Sequence, residues 1–395
     1  MGLFSVYVTM TPGPRSKFQF PWRRANRFEL LVDGRVYFPR MLEAIGRARR
    51  YVLLEIYLFE SGTVANRFIE VLVSTVARGV QVKVLADGFG AAKLLAGDRT
   101  RLSAAGVELR FYNPLRLRKW LGNMFRDHRK LLIVDGELAF VSGTGITDDF
   151  DNPKMPARSW RETTLQINGL VLADWQELFL RAWNRYATQK LSLPAPVARL
   201  ESADMRGRLA AASALHIQDI RRSLFQRVRN ARQRVWMTTA YFVPSRKLLR
   251  ALKHAAQQGA DVRLLLPGPC SDHPAVRHAG RRFYSSLLRN GVRIFEYQPR
   301  FLHAKTLLCD QWVSIGSSNF DRWNLRWNRE ANQEVDDAQF AAAVHAMLET
   351  DLQDSIEIDK QRWRRRRWTT RLRERLWGRV DLWLDNIGRR RMKWK

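Results

Sequence analysis

The chain has 395 residues, which is enough for two domains of ordinary size. Its 46% hydrophobic and 11% aromatic content excludes a disordered chain, and its two cysteines, which form no CxxC pair, exclude a disulfide scaffold. The formal net charge of +30 predicts a polyanionic partner, either nucleic acid or an anionic membrane surface.

In chain order, the sequence alternates apolar strand-like runs with helical stretches, and it does so twice. In the first half we expect strands within residues 48–59, 77–88 and 102–114. The same series returns within residues 231–242, 257–268 and 287–299. Strands that alternate with helices predict an α/β domain with a largely buried sheet, and the repetition predicts two similar domains.

These patterns predict five segments. We expect an N-terminal arm (1–27), a first domain (28–190), a linker (191–212), a second domain (213–352) and a basic tail (353–395). No stretch approaches the ~18 uninterrupted apolar residues of a membrane-spanning helix. The N-terminus lacks the basic region and the long apolar segment of a secretion signal, so we expect no cleaved signal.

One motif occurs in both halves, at the corresponding place of the repeat. The stretch "HRKLLIVD" contains His128, Lys130 and Asp135, and the stretch "HAKTLLCD" contains His303, Lys305 and Asp310 at the same spacing. Residues two apart in a strand project from the same face, so each histidine points in the same direction as its lysine. If the two domains pack face to face, two histidines and two lysines converge on one site.

Such a site has the chemistry to transfer a phosphoryl group. Two lysines neutralise a phosphodiester, a neutral imidazole can attack phosphorus, and a protonated imidazole can protonate the leaving oxygen. Each half also repeats an Arg-Glu pair, and Glu162 and Glu330 are therefore expected to orient the two histidine rings. Because the lysines supply the positive charge, we expect neither a metal nor another cofactor.

Asp135 and Asp310 complete the catalytic candidates. Each follows an apolar strand and precedes a turn. We favour an anchoring role, in which each carboxylate holds its turn by hydrogen bonds, over direct participation in the reaction.

The paired motifs, with "GSSNFD" after the second, resemble the paired HKD motifs of the phospholipase D superfamily across residues 28–352. This resemblance implies two α/β domains, each a mixed sheet flanked by helices, related by a pseudo-twofold axis with the active site at their interface. It also implies a covalent phosphohistidine, no metal, and phosphate binding by Lys130, Lys305, Ser317 and Asn319. The first half departs from the pattern at Gly145, where the family usually has Asn, so its phosphate ligand stays open.

Two basic segments favour a membrane over nucleic acid. The first half carries ten extra residues just before its motif, within residues 115–127, and this stretch mixes leucines and aromatic residues with arginines and a lysine. In the tail, apolar residues recur every three or four positions within a basic surround, as in helices that lie in a membrane interface. Two alternatives stay open for this tail, namely nucleic-acid binding and packing of the apolar stripe on the second domain.

Within the superfamily, residues 139–150 and 160–183 most resemble a bacterial cardiolipin synthase of the B type. This implies a phosphatidyltransferase that joins two phosphatidylglycerol molecules into cardiolipin and glycerol, located peripherally on the cytoplasmic face of the bacterial inner membrane. His128 is the expected nucleophile and His303 the acid and then the base. Phosphatidylethanolamine as donor, another phospholipase, a nuclease and a non-catalytic membrane-binding protein are the alternatives, with no nucleic acid expected. The oligomeric state stays open.

Overall fold

The computed structural model describes residues 18–116, 122–185, 189–196, 204–213, 217–321 and 327–366. The middle of the insertion before the first motif and the tail beyond residue 366 lie outside the described residues. The expectation of a membrane-binding tail helix therefore concerns residues that are not described.

The first half contains seven strands and four longer helices among the described residues. The strands are β1 (Arg23–Val32), β2 (Tyr51–Ile56), β3 (Gln81–Asp87), β4 (Glu108–Tyr112), β5 (Leu131–Val134), β6 (Leu138–Ser142) and β7 (Thr163–Gly169). The helices are α1 (Gly34–Gly46), α2 (Thr63–Ala77), α3 (Ala96–Ala104) and α4 (Leu172–Asn184), with short 3-10 turns at Gly122–Met124 and Pro156–Arg158.

The second half repeats this series and adds short elements at its end. Its strands are β8 (Met205–Ser213), β9 (Ile217–Gln218), β10 (Arg234–Thr238), β11 (Asp261–Pro267), β12 (Arg293–Tyr297), β13 (Thr306–Cys309), β14 (Trp312–Gly316), β15 (Arg329–Asp336) and β16 (Ser355–Glu357). Its helices are α5 (Asp219–Asn230), α6 (Arg246–Gln257), α7 (Pro274–Arg281), α8 (Tyr284–Arg289), α9 (Ala338–Gln353) and α10 (Lys360–Arg364).

All these strands join one continuous mixed sheet. Its order is β16-β12-β11-β10-β13-β14-β15-β8-β1-β7-β6-β5-β2-β3-β4, with β9 paired to β8. The order on one side of the β8–β1 junction mirrors the order on the other, and β1 and β8 pair antiparallel. The two similar α/β domains expected from the sequence are thereby confirmed. The junction strand β8 begins inside the segment expected as a linker, and the edge strand β16 lies inside the segment expected as a tail.

Burial on both faces explains why the sequences of the central strands are nearly continuous apolar runs. Every residue of β2, β5 and β13 is buried. Helices α1 and α2 cover the outer face of the first half, and α5 and α6 cover that of the second. The inner faces of the two halves share one cluster, in which Leu165 and Val313 are fully buried. Strands covered on both faces need apolar side chains on both faces.

The shared cluster holds the two halves against each other. From α4 of the first half, the Trp175 indole N–H donates to Gln333 Oε1 in β15 of the second half at 2.8 Å. Within the described residues, no helix combines the length and the apolar character needed to span a bilayer.

Candidate active site

The two motifs meet where the halves exchange backbone hydrogen bonds. The His128 N–H donates to the Arg329 carbonyl at 2.9 Å, and the His303 N–H donates to the Arg161 carbonyl at 2.9 Å. Arg329 and Arg161 immediately precede Glu330 and Glu162. Each motif histidine is therefore positioned beside the Arg-Glu pair of the opposite half.

The side chains also make contacts between the halves, because each motif histidine lies beside the glutamate of the other half. His128 Nδ1 lies 2.9 Å from Glu330 Oε1 and 3.1 Å from its Oε2, and His303 Nδ1 lies 2.6 Å from Glu162 Oε2. Both glutamates are fully buried. A carboxylate on Nδ1 fixes the proton there and directs the other ring nitrogen, Nε2, away from it. The first half therefore orients the histidine of the second half, and the reverse.

Both motif lysines are buried beside their histidines. Lys130 Nζ donates to the His128 carbonyl at 2.6 Å and lies 4.9 Å from the centre of the Tyr57 ring. Lys305 Nζ lies 3.3 Å from Glu162 Oε2 and also donates to the His303 carbonyl. Burial lowers the pKa of both lysines, that of Lys130 to about 7. An anion bound between them would replace the water that they have lost.

The electrostatics of the site favour the neutral form of both histidine rings. Burial lowers the pKa of His128, and the charges of Lys130 and Lys305 add to that effect while Glu330 opposes it. The pKa of His303 is lowered well below its ordinary value by burial and then by Lys305, Lys130 and His128. These mutual effects require that the two motif pairs lie close together. A phosphodiester anion, with its single negative charge, would offset part of the lysine charge and oppose the lowering of both histidine pKa values.

The two rings have different surroundings. Tyr57 packs edge-on against His128 at a ring distance of 4.6 Å. His303 is enclosed by three aromatic rings, namely Trp160 at 5.1 Å, Phe150 at 5.4 Å and Phe301 at 5.7 Å. The His128 side chain is 13% exposed and that of His303 is 6% exposed. None of these aromatic residues was predicted from the sequence, and the available signal was that Trp160 and Phe301 each lie two residues before a site residue, Glu162 and His303.

Ser317 and Asn319 lie at the same site. Ser317 Oγ donates to Glu330 Oε2 at 2.5 Å and accepts the Ala331 N–H at 3.0 Å. Asn319 is completely buried, and its Oδ1 accepts from the Thr239 hydroxyl at 3.4 Å. Its Nδ2 has no hydrogen-bond partner among the described residues. A buried amide donor without a partner suits an oxygen of a bound phosphate.

The first half lacks both of these side chains. The pairing of β5 with β6 and of β13 with β14 puts Gly143 in the position of Ser317, and Gly145 in that of Asn319. A Cβ at Gly143 would lie 2.4 Å from Glu162 Oε2, and the loop after β2 fills the corresponding space at Gly145. The departure seen at Gly145 therefore extends to Gly143, which sequence reasoning missed.

The motif aspartates lie at the other end of their strands. Asp135 accepts the N–H groups of residues 49, 50 and 51 at 2.7–2.9 Å, and Asp310 accepts those of residues 232, 233 and 234 at 2.8–3.0 Å. Both have a φ of 53°, a left-handed conformation that Asp tolerates in turns. The structure does not bring them to the histidines, and their contacts are those of turn anchors.

The fold and site together define a class of protein. Two copies of one α/β unit each contribute a histidine and a lysine to a shared site, which is the arrangement expected of a doubled phospholipase D-like fold. The phosphatidylserine synthase structure from Haemophilus influenzae Rd KW20 has this fold, with a TM-score of 0.67, 14% identity, and coverage of 86% of this chain and 90% of that chain. A polyphosphate kinase structure from Porphyromonas gingivalis aligns with a TM-score of 0.58 at 17% identity, over 85% of this chain and 49% of that one.

Sequence comparison narrows this class to a family. A family profile described as "Cardiolipin synthase, PLD-like domain" matches residues 41–150 and 224–352. Cardiolipin synthase A of Pseudomonas putida (strain W619) is 35% identical over 344 residues, covering 86% of this chain and 71% of that protein. Cardiolipin synthase A of Pseudomonas aeruginosa (strain LESB58) is 35% identical over 340 residues, covering 84% and 68%.

The chain therefore belongs to the phospholipase D-like cardiolipin synthase family, and it is a phosphatidyltransferase. The predicted membership of the phospholipase D superfamily and the predicted cardiolipin synthase activity are confirmed. The relatives described above carry the name cardiolipin synthase A, and the B type stays a prediction.

Proposed function

We propose that this protein joins two phosphatidylglycerol molecules into cardiolipin and glycerol through a phosphatidyl group carried on His128. The observation that supports this most directly is the pair of crossed His-Glu contacts beside two buried lysines. In the first step, His128 Nε2 attacks phosphorus and forms a P–N bond. The P–O bond to the glycerol headgroup breaks, and His303 gives its proton to the departing oxygen.

The second step reverses the first with a different alcohol. The terminal hydroxyl of a second phosphatidylglycerol loses its proton to His303, and its oxygen attacks phosphorus. The P–N bond breaks and returns the electron pair to His128. One bond to phosphorus is made and one is broken in each step, so the reaction needs no external energy source.

The unequal surroundings support the assignment of the two roles. His128 is the more open of the two rings, as an attacking group must be to reach phosphorus in line. His303 is enclosed by aromatic rings, and its pKa is lowered first by burial and then by the charges of Lys305 and Lys130. Binding of the singly charged phosphodiester offsets part of the lysine charge, which favours the protonated form of His303 when substrate is present.

The oxygens of the transferred phosphate are held by donors from both halves. Lys130 and Lys305 supply positive charge, and the Asn319 amide, which has no partner in the part of the chain that the structure describes, supplies a directed hydrogen bond. Ser317 acts through Glu330, which it contacts at 2.5 Å. The substrate is an anionic lipid of the membrane. The net charge of +30 favours a peripheral position of the protein on the anionic cytoplasmic face of the bacterial inner membrane.

The test uses vesicles of phosphatidylglycerol labelled in its headgroup glycerol, with EDTA present throughout. The proposal expects cardiolipin and free glycerol in equal amounts, and loss of both products in His128→Ala and His303→Ala. Vesicles of phosphatidylethanolamine with a trace of phosphatidylglycerol as acceptor test the other donor. Cardiolipin formed without glycerol release, or full turnover in either histidine variant, would contradict the proposal.

A further inference from the structure

Most of the large apolar side chains that are exposed among the described residues belong to first-half segments that follow strands. Eight such side chains are prominently exposed, and six of them lie on the segments that follow β1, β3, β4 and β6, the first of these segments being the start of α1. These six are Val36, Phe89, Leu95, Leu115, Met124 and Met155, and we call them the rim. The other two are Leu170, at the opposite end of β7, and Ile356, on edge strand β16.

Short contacts connect one side of the rim to His128. The Phe89 N–H donates to Asp87 Oδ1 at 2.9 Å, and the other oxygen of Asp87 accepts the N–H of Asp127, the residue before His128, at 2.9 Å. Met124 lies in the same loop as His128 and just before it. Phe89 is 53% exposed and Met124 is 42% exposed.

Leu115 begins that same loop and is 54% exposed. Asn113 closes the loop by donating to the carbonyls of Gly122 at 2.7 Å and Phe125 at 2.9 Å. Phe125 packs on Trp327 of the second half at a ring distance of 5.6 Å. The described ends of this loop are therefore held against the protein, and Leu115 is exposed at one of them.

The opposite side of the rim adjoins His303. Val36 follows Asp33, whose N–H donates to the carbonyl of Glu162 at 3.0 Å. Met155 lies in a loop closed by the Trp160 N–H, which donates to the Asp149 carbonyl at 2.7 Å. Trp160 in turn packs against His303. The rim thus extends from one histidine to the other.

Exposed basic side chains lie near the rim residues on the same segments. They are Arg35, Lys93, Arg116, Lys154 and Arg158, of which Lys93 pairs with Glu60 at 3.2 Å. We propose that the rim is the surface by which this protein docks on an anionic lipid bilayer, with the apolar side chains inserted at the level of the acyl chains and the basic ones at the headgroups. The inference rests on the proposed function, because it puts the opening of the site against the layer that contains phosphatidylglycerol.

The distribution of these side chains favours a bilayer over a second copy of the chain. A stable protein interface needs a contiguous apolar patch, whereas the rim consists of single apolar side chains on separate loops with basic neighbours. Single apolar anchors within a basic surround are the pattern of interfacial membrane binding. The protein would then take its lipid substrate directly from the layer on which it rests.

The test compares two double variants in the full chain, both in the His128→Ala background so that no product alters the surface. Phe89→Ser with Leu115→Ser removes two rim side chains, and Leu170→Ser with Ile356→Ser removes two equally exposed side chains elsewhere. Binding is measured by co-sedimentation with vesicles of equal parts phosphatidylglycerol and phosphatidylcholine. We expect the rim pair to weaken partitioning by about tenfold per side chain, and the control pair to leave it within about twofold.

Thermal unfolding of each variant shows whether it is folded, and sedimentation velocity without vesicles reports self-association. If the rim pair partitions like the parent chain, or changes only self-association, the docking inference is overturned. If it loses partitioning while the wild-type protein makes no cardiolipin, the docking surface stands and the proposed function fails. The two ideas can therefore fail separately.

Discussion

Replacing each site glutamate by glutamine should show which histidine attacks phosphorus and which one transfers protons. In Glu162→Gln, His303 exchanges a buried 2.6 Å contact with a carboxylate for one with a neutral amide. A charge-assisted hydrogen bond of this kind contributes about 1.5–3 kcal/mol. If the whole of that free energy is lost from the transition state, glycerol release slows by about 10- to 150-fold.

The assay compares two leaving groups. Glycerol needs a proton from His303, whereas the p-nitrophenyl ester of phosphatidic acid releases p-nitrophenolate without one. We expect Glu162→Gln to release p-nitrophenolate in a burst of one equivalent at nearly the wild-type rate, although its turnover of phosphatidylglycerol is slow. We expect Glu330→Gln to slow both substrates, because Glu330 orients the attacking ring at 2.9 Å. The reverse pattern would exchange the roles of the histidines, and unchanged rates in both variants would refute the orienting role.

Three further outcomes follow from the site. Burial lowers the pKa of Lys130 to about 7, so its positive charge is lost as the pH rises through 7. The KM for phosphatidylglycerol should therefore increase above pH 7, and this increase should be absent in Lys130→Gln. Gly143→Ala should lower kcat by a factor similar to that of Glu162→Gln, because the added methyl would lie 2.4 Å from Glu162 Oε2. Asp135→Asn and Asp310→Asn should each lower the free energy of unfolding by about 2 kcal/mol, measured in urea, and should leave the kcat of the folded enzyme unchanged.

The parts of the site that occur in both halves could be predicted from the sequence. The motif histidines and lysines, and the glutamates of the repeated Arg-Glu pairs, could be located because each occurs at the same place in two copies of one unit. The repeat also predicted the doubled α/β fold, because strand periodicity and buried apolar runs are local properties of the chain.

The crossing of the halves could not be read from the sequence. Nothing local to Glu162 indicates that its partner is His303, because that contact depends on how two folded units pack. Gly143 was missed for a different reason. The alignment of Gly145 with the family's Asn already places Gly143 at the position of Ser317, but only the Asn was considered. The strand register gives the same equivalence, although the hairpin between β5 and β6 is one residue longer than that between β13 and β14. Tyr57 ends a buried apolar run and resembles an ordinary core residue.

The central claim is that His128 carries the phosphatidyl group while His303 transfers protons. The most direct measurement is to mix His303→Ala with the p-nitrophenyl ester of phosphatidic acid, quench at alkaline pH where phosphohistidine survives, and locate the adduct by peptide mass spectrometry. We expect a phosphatidyl group on the peptide that contains His128, formed at the same rate as one equivalent of p-nitrophenolate is released. Release of p-nitrophenolate with no adduct on His128, or an adduct on the His303 peptide of the wild-type protein, would contradict it.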